Sequence, residues 1–238
     1  ISGQDSKVTI FPAHDEGIRF FLSNYETPVE AKVENVISTD NSTIIGNSEI
    51  KIAMIEHLMA ACAFADISAL HVYVSTPELP VLDGSAIEGY NLINEAGIEK
   101  TQDNYEIEIS QHIGLKSENA VLTLTPEEEF KVNYSVNFDH PDLRNKWYNF
   151  DFSQDKKEIL SARTFGYFKD LEKFQKAGMA LGVTKNNTVG LLDDGYTTEL
   201  RSELEPIKHK ILDLIGDLYL TGINPLKMKA LIMAKEAG

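Results

Sequence analysis

The sequence contains a single cysteine, Cys62, so no disulfide bond can form within the chain, and a cytoplasmic location is expected. No apolar run approaches the roughly 20 residues that span a bilayer, so we expect no transmembrane segment and no signal peptide. Basic residues are also scarce: 22 lysines and arginines stand against 37 aspartates and glutamates, a formal net charge of -15. Because nucleic acids are bound by basic surfaces, this balance argues against nucleic acid as a partner.

The order of apolar patterns along the chain predicts the fold class. Of the 238 residues, 42% are hydrophobic, which is enough for one large core or two small ones. Short strand-like runs are followed by helical patterns at residues 50–65 and 86–96, and the second half repeats this order with a helix at 206–220. The polar, turn-rich stretch "GIEKTQDN" separates the halves. We therefore predict an α+β fold, an α/β sandwich, with domains at residues 1–100 and 105–238.

The stretch "HKILDLIGD" places three polar side chains in one row of an apolar helix. His209, Asp213 and Asp217 recur every four residues, so they lie along one face of a helix with 3.6 residues per turn. The other positions are almost all apolar, which is typical of a buried helix. Because burying unpaired polar groups is costly, the row indicates a site that faces a cavity.

A second polar pair, Glu56 and His57, interrupts the apolar helical pattern "MIEHLMAAC". Neighbouring helix positions point about 100° apart, so both side chains reach one cavity only if the end of the helix meets it. His209 and Asp213, at i and i+4, can bind one metal ion, and His57 would complete a three-ligand zinc site. Glu56 would then be the leading general base. The alternative is that His209 and Asp213 form a helix salt bridge, and that Glu56 is solvated or caps the helix.

Two further stretches have both a functional and a structural interpretation. "LSARTFGYF" carries Thr164, whose hydroxyl could help hold an oxyanion beside a metal site, although an ordinary strand or turn is the simpler interpretation. "KAGMALGVTKNN" combines small and apolar residues, which predicts either a loop lining an apolar groove or a helix end followed by a strand. The remaining histidines, His14, His71, His112 and His140, are interpreted as surface or structural residues.

Taken together, these stretches resemble the zinc-dependent UDP-3-O-acyl-N-acetylglucosamine deacetylases, the family that performs the committed step of lipid A biosynthesis in Gram-negative bacteria. Either "EHL" or "HKILDLIGD" alone is modestly specific, whereas both of them with "LDGSA" and "ARTFG" between them are highly specific. The matching stretches cover most of the chain in the family's order and spacing: "KVTIFPAHDEGIRF", "STIIGNSEIKIAMIEHLMAA", "ELPVLDGSA", "NFDHP", "SARTFGYFKDLEKFQKAGMALG" and "KHKILDLIGDLYLTG".

The resemblance implies two layered sheet-and-helix domains of similar build, with the active site between them. It implies that His57, His209 and Asp213 hold one Zn²⁺ ion, and Fe²⁺ is chemically compatible with the same ligands. In this family the residue at the position of Glu56 activates the attacking water. The residue at the position of Thr164 stabilises the tetrahedral oxyanion.

The resemblance also implies the substrate, a UDP-linked acylated glucosamine, and we expect a monomer. Asp217 would orient a second histidine that carries positive charge or acts as the acid. An insert around residues 166–192 would form a tunnel for the fatty acyl chain. The residues expected to bind substrate are Lys210, Phe165, Met179, Ala180 and Gly182.

The chain departs from the family pattern near both ends. Where the family has an additional strand and a "GLHTG"-like turn, this chain has "ISGQDS", and the family's "K-x-G-H" segment, which supplies the second histidine, is matched by "KEAG". We therefore expect that the sequence is trimmed at both ends. Two alternatives stay open: another zinc amidase or peptidase with no preference for a long acyl chain, and a non-catalytic protein that binds a UDP-sugar or an acyl chain. The complete ligand set and Glu56 favour the deacetylase.

Overall fold

The computed structural model describes residues 1–100, 105–117 and 120–237. Helices and strands are mixed in several sheets, which confirms the predicted α+β class. The predicted boundary at residues 97–104 lies partly outside the described residues. Within the described part of the chain, no helix combines the length and the apolar character needed to cross a membrane.

The first half of the chain forms two sheets and two helices. Its elements are β1 (Val8–Pro12), β2 (Gly17–Leu22), β3 (Val29–Glu30), β4 (Val36–Ser38), β5 (Ile44–Gly46), β6 (Lys51–Ala53), α1 (Glu56–Ala65), β7 (Ala69–Val74) and α2 (Ile87–Ala96). One sheet has the order β1-β7-β2-β3, in which β2 and β7 are parallel. The other is antiparallel, with the order β4-β5-β6.

The described residues of the second half form a larger sheet, a two-stranded sheet and three α-helices. Its elements are β8 (Ile107–Glu108), β9 (Ile113–Lys116), β10 (Val121–Pro126), β11 (Lys131–Val136), β12 (Lys146–Asp151), α3 (Phe152–Leu160), β13 (Thr164–Tyr167), α4 (Leu171–Lys176), β14 (Thr188–Leu191), α5 (Glu205–Tyr219) and β15 (Met228–Lys235). The larger sheet has the order β12-β11-β15-β10-β9, with β8 paired to β15. As in the first half, a helix immediately precedes a strand that joins a parallel pair: α1 precedes β7, and α5 precedes β15.

Alternating burial along the strands shows how the sheets meet the core. In β2 and β15 every second side chain is buried, as expected for strands with one face against a core. Phe20 in β2 and Ile232 in β15 are both fully buried, and burial of such a side chain stabilises the fold by about 1.5–3 kcal/mol. These residues share one hydrophobic core with Met59 of α1 and Ile211 of α5.

The two helices that carry the predicted site pack unusually closely. A Cβ atom on Gly216 of α5 would overlap the backbone oxygen of Glu56 at the start of α1. Because glycine has no side chain there, the backbone of α1 approaches the face of α5 that bears the polar row. This close approach brings together residues that are about 150 positions apart in the sequence.

One prediction about elements was wrong, and one region was left without a prediction. The helix predicted at residues 50–65 begins only at Glu56, because Lys51–Ala53 pairs with β5 as β6 and Met54 turns the chain with a positive φ of 64°. A short apolar run of this kind does not distinguish a strand from a helix by periodicity alone. The region of β12 and α3 was not assigned to elements from the sequence. Asp151 starts α3 by accepting a hydrogen bond from the backbone N–H of Ser153.

Candidate active site

One cavity of about 810 Å³ collects the residues that the sequence analysis singled out. Its walls come from the start of α1, the polar row of α5, β13 and the insert that follows β13. The predicted site residues that border it are Glu56, His57, Thr164, Phe165, Met179, Ala180, Gly182, His209, Lys210, Asp213 and Asp217. The structure therefore brings every one of them to the same cavity.

The polar row of α5 faces this cavity, as its spacing predicted. His209 and Asp213 are one helical turn apart, and His209 Nε2 lies 3.4 Å from Asp213 Oδ1. The rest of the helix is largely buried, including Ile211, Leu212 and Ile215. The helix therefore presents one polar face in an otherwise apolar environment, which is the arrangement of a buried site.

The start of α1 supplies the second part of the site. Glu56 and His57 are the first two residues of the helix, so both side chains reach the cavity although they point in different directions. Glu56 is 8% exposed, which excludes the alternative of a solvated side chain. His57 Nε2 lies 3.7 Å from Asp213 Oδ1, and its ring meets that of His209 edge-on at a centroid distance of 4.9 Å.

The ligand atoms of His57, His209 and Asp213 fit a divalent metal ion. They all lie within 4.8 Å of one another, and two ligands about 2.1 Å from a tetrahedral ion are separated by about 3.4 Å. His209 Nδ1 donates to the carbonyl of Ala162 at 2.9 Å, so Nε2 keeps its lone pair for the site. Asp213 Oδ2 accepts from Lys210 Nζ at 3.2 Å, whereas Oδ1 is buried and has no hydrogen-bond partner among the described residues. A cation between the two imidazoles would satisfy that orphaned oxygen.

The charges around Asp213 keep its carboxylate ionised, which is the form that binds a cation. Burial alone would raise the pKa of Asp213, but His209 and Lys210 lower it below its ordinary value. Burial would lower the pKa of Lys210, and the charge of Asp213 raises it instead. Both partners of this contact are therefore ionised at neutral pH.

Burial also shifts the pKa values of the other titratable groups in the cavity. It raises the pKa of Glu56 to about 8, reinforced by the charge of Asp213, and it raises the pKa of Asp217 to about 6. It lowers the pKa of His57 to about 4, with a further contribution from His209. His57 is therefore neutral near pH 7, the form that binds metals. Glu56 can accept a proton near neutral pH, and a bound cation would draw its pKa down from about 8.

The insert forms the apolar end of the cavity. It begins within β13 and ends after β14, these two strands are parallel, and α4 lies between them in sequence. Its lining is mainly apolar: Phe168, Leu171, Phe174, Met179, Ala180 and Val183. The structure bears out both interpretations of "KAGMALG". The segment lines the apolar end of the cavity, and it also ends α4, with Ala177 as the C-cap and Gly178 at a φ of 77°.

The "LDGSA" loop contacts both Thr164 and the insert. Gly84 adopts a φ of +81°, and a Cβ atom there would overlap the backbone carbonyl of Asn187. The Gly84 carbonyl accepts a hydrogen bond from the Thr164 N–H at 2.7 Å. Asn187 in turn accepts from the N–H of Thr184 at 2.8 Å and donates to the carbonyl of Gly182 at 3.0 Å. This packing fixes the part of the cavity wall that β13 and the insert form.

His140 has the structural role expected from the sequence. It is 1% exposed, and both ring nitrogens are occupied: Nε2 by the carbonyl of Gly195 at 2.9 Å, and Nδ1 by the N–H of Asp142 at 3.2 Å. The ring also packs against Tyr196 at a centroid distance of 4.6 Å. No lone pair of His140 is left for a metal or a substrate.

Sequence reasoning missed Ser42 and Thr43, which also border the cavity. Both are buried, and Thr43 contacts Glu56 and Asp217 directly. Their stretch "NSTIIG" reads only as a turn and a strand, because no periodic or charged pattern marks it. Nothing local in the sequence could have signalled their position.

The site combines two imidazoles and a carboxylate with a buried glutamate beside them, and it opens into an apolar cavity. This arrangement is found in metal-dependent hydrolases. The family model described as UDP-3-O-acyl N-acetylglycosamine deacetylase (LpxC) matches residues 1–238. The chain belongs to this family.

Relatives named UDP-3-O-acyl-N-acetylglucosamine deacetylase agree with this assignment. The protein from Nautilia profundicola is 37% identical over 216 residues, which cover 89% of this chain and 74% of the relative. The protein from Campylobacter fetus is 35% identical over 227 residues, which cover 92% of this chain and 77% of the relative. The protein from Leptospira biflexa is 36% identical over 229 residues, which cover 93% of this chain and 76% of the relative.

Proposed function

We propose that the protein is a zinc-dependent deacetylase that hydrolyses the acetamide of UDP-3-O-acyl-N-acetylglucosamine and releases acetate, the committed step of lipid A biosynthesis. The observation that supports this most directly is the buried Oδ1 of Asp213, which faces His57 and His209 and has no hydrogen-bond partner in the described part of the chain. Zn²⁺ is the ion we propose for these three ligands, and Fe²⁺ suits the same set.

The residues around the metal ligands have different roles in amide hydrolysis. When bound, the ion polarises a carbonyl oxygen and lowers the pKa of water. Glu56 accepts the proton of the water that attacks the acetyl carbon, and its buried carboxylate has a pKa close enough to neutral for this transfer. The new C–O bond forms as the carbonyl oxygen takes up negative charge. The C–N bond then breaks as the nitrogen takes up the proton that Glu56 accepted, and acetate and the protonated amine leave.

Three further side chains support the charges that develop. The hydroxyl of Thr164 borders the cavity and donates to the oxyanion. The Lys210 ammonium, held at Asp213, contacts the substrate. Asp217 is partly buried beside them, and we propose that it orients the second, positively charged histidine that the family resemblance implies.

Acetate release is the experiment that tests this function. We expect the metal-loaded protein to release one acetate per molecule of UDP-3-O-acyl-N-acetylglucosamine, and chelation to abolish the release. Equal rates with a substrate that lacks the acyl chain would favour another amidase. Binding without acetate release would favour a non-catalytic protein.

We propose that the apolar end of the cavity, with Phe165, Met179, Ala180 and Gly182 among its lining residues, holds the acyl chain. Ala180→Trp should then obstruct this end and lower kcat/KM for the acylated substrate selectively. Displacing two or three methylenes at about 0.8 kcal/mol each corresponds to a loss of roughly 15- to 60-fold. The measurement compares substrates with and without the acyl chain.

Ala177→Trp is the matched control for this prediction. Ala177 lies in the same insert but is exposed and does not border the cavity, so its replacement should change neither rate. An equal loss on both substrates in Ala180→Trp would contradict an acyl site at this position.

A further inference from the structure

Thr43 lies where β5, α1 and α5 meet, and it is 5% exposed. Its backbone N–H donates to Glu56 Oε2 at 3.0 Å, and its carbonyl accepts from the N–H of Ile55 at 3.4 Å. Its hydroxyl donates to Asp217 Oδ1 at 2.6 Å. One residue therefore joins the start of α1, the glutamate side chain and the polar row of α5.

These bonds control how two neighbouring carboxylates point. Glu56 is buried and Asp217 is partly buried, and the two carboxylates would repel each other when ionised. Thr43 places a hydrogen-bond donor on one oxygen of each, which fixes both side chains and orients their second oxygens. The hydroxyl bond also anchors the backbone of Thr43, so that its N–H stays within reach of Glu56.

We propose that Thr43 is a positioning residue for the hydrolysis, which holds Glu56 in its proton-accepting orientation through its anchor on Asp217. This inference rests on the proposed function. Thr43 itself does not contact the reacting atoms. It acts by keeping the base where an attacking water molecule can reach it.

Thr43→Val removes the hydroxyl and keeps the shape, whereas Thr43→Ser keeps the hydroxyl. We expect Thr43→Val to lower kcat by about 10- to 100-fold with KM and metal content unchanged, as is usual for partners of catalytic groups. Thr43→Ser should restore kcat to within a few-fold of the parent. In the Asp217→Asn background, Thr43→Val should cause little further loss, because it acts through the same contact.

Thr125→Val is the matched control, since it also removes one hydroxyl hydrogen bond, to the carbonyl of Leu231, but lies away from the cavity. It should leave kcat unchanged. Parent-like kcat in Thr43→Val, or equal losses in Thr43→Val and Thr43→Ser, would overturn the proposal. If Thr43→Val does not fold, Thr43→Ala replaces it, and failure of both to fold would make the hydroxyl a stability determinant and also overturn the proposal.

A crystal structure of metal-loaded Thr43→Val separates this inference from the proposed function. Glu56 should leave its parent orientation or occupy several rotamers, whatever substrate the enzyme takes. Glu56 in the parent position would contradict the positioning role even if acetate is released. A parent protein that releases no acetate, with Glu56 displaced in the variant, would contradict only the proposed function.

Discussion

Glu56→Gln should leave the metal in place and lower turnover by roughly 100- to 10,000-fold, the usual contribution of general acid–base catalysis. Glutamine keeps the size of the side chain and can still accept the hydrogen bond from the N–H of Thr43, which the carboxylate receives at 3.0 Å. It cannot take a proton from water. Acetate release and metal content, measured on the same preparation, check this prediction.

Stability measurements distinguish a loss of turnover in Glu56→Gln that is due to the missing proton transfer from one that is due to unfolding. Burial raises the pKa of Glu56 from 4.5 to about 8, so the metal-free parent should lose stability as the pH rises through this window. The glutamine variant should not show this loss. Glu88→Gln, an exposed change in the first turn of α2, is the control and should retain full turnover. Parent-like turnover in Glu56→Gln would assign the proton transfer to another group.

His209→Ala should lower metal affinity by more than about 100-fold, beyond the usual 10- to 100-fold effect of losing a residue that only orients a ligand. The change removes one of three ligand atoms and also leaves the carbonyl of Ala162 without its donor. Metal titration of the purified variant, followed by acetate release at saturating metal, is the measurement. Activity should fall with the bound metal.

His140→Ala is the matched control for this second prediction. His140 is 1% exposed and His209 is 3% exposed, so both substitutions empty a buried histidine position. His140→Ala should lower thermal stability because it removes two hydrogen bonds, but metal stoichiometry should stay at the parent value. If His209→Ala binds metal as tightly as the parent, the three-ligand assignment is wrong.

Much of the fold and the site could be predicted from local pattern. The four-residue spacing of His209, Asp213 and Asp217 is preserved by any α-helix, so one face of α5 followed directly from the sequence. The prediction that Glu56 and His57 meet a cavity only at a helix end was also geometric, and the structure places both at the start of α1. The start of that helix was predicted six residues too early, because the pairing of β6 with β5 depends on a partner strand rather than on its own residues.

Local patterns in the sequence were enough to predict the α+β class, the types of donor atoms in the site and the family, because periodicity and short motifs are local properties. Three features of the site follow from tertiary contacts instead. Asp213 Oδ1 has no hydrogen-bond partner among the described residues, Gly216 lets the backbone of α1 approach α5 closely, and Thr43 joins Glu56 to Asp217. Thr43 and Asp217 are separated by 174 positions in the sequence. Contacts of that kind form only when the hydrophobic core brings distant elements together, and no pattern within either segment records them.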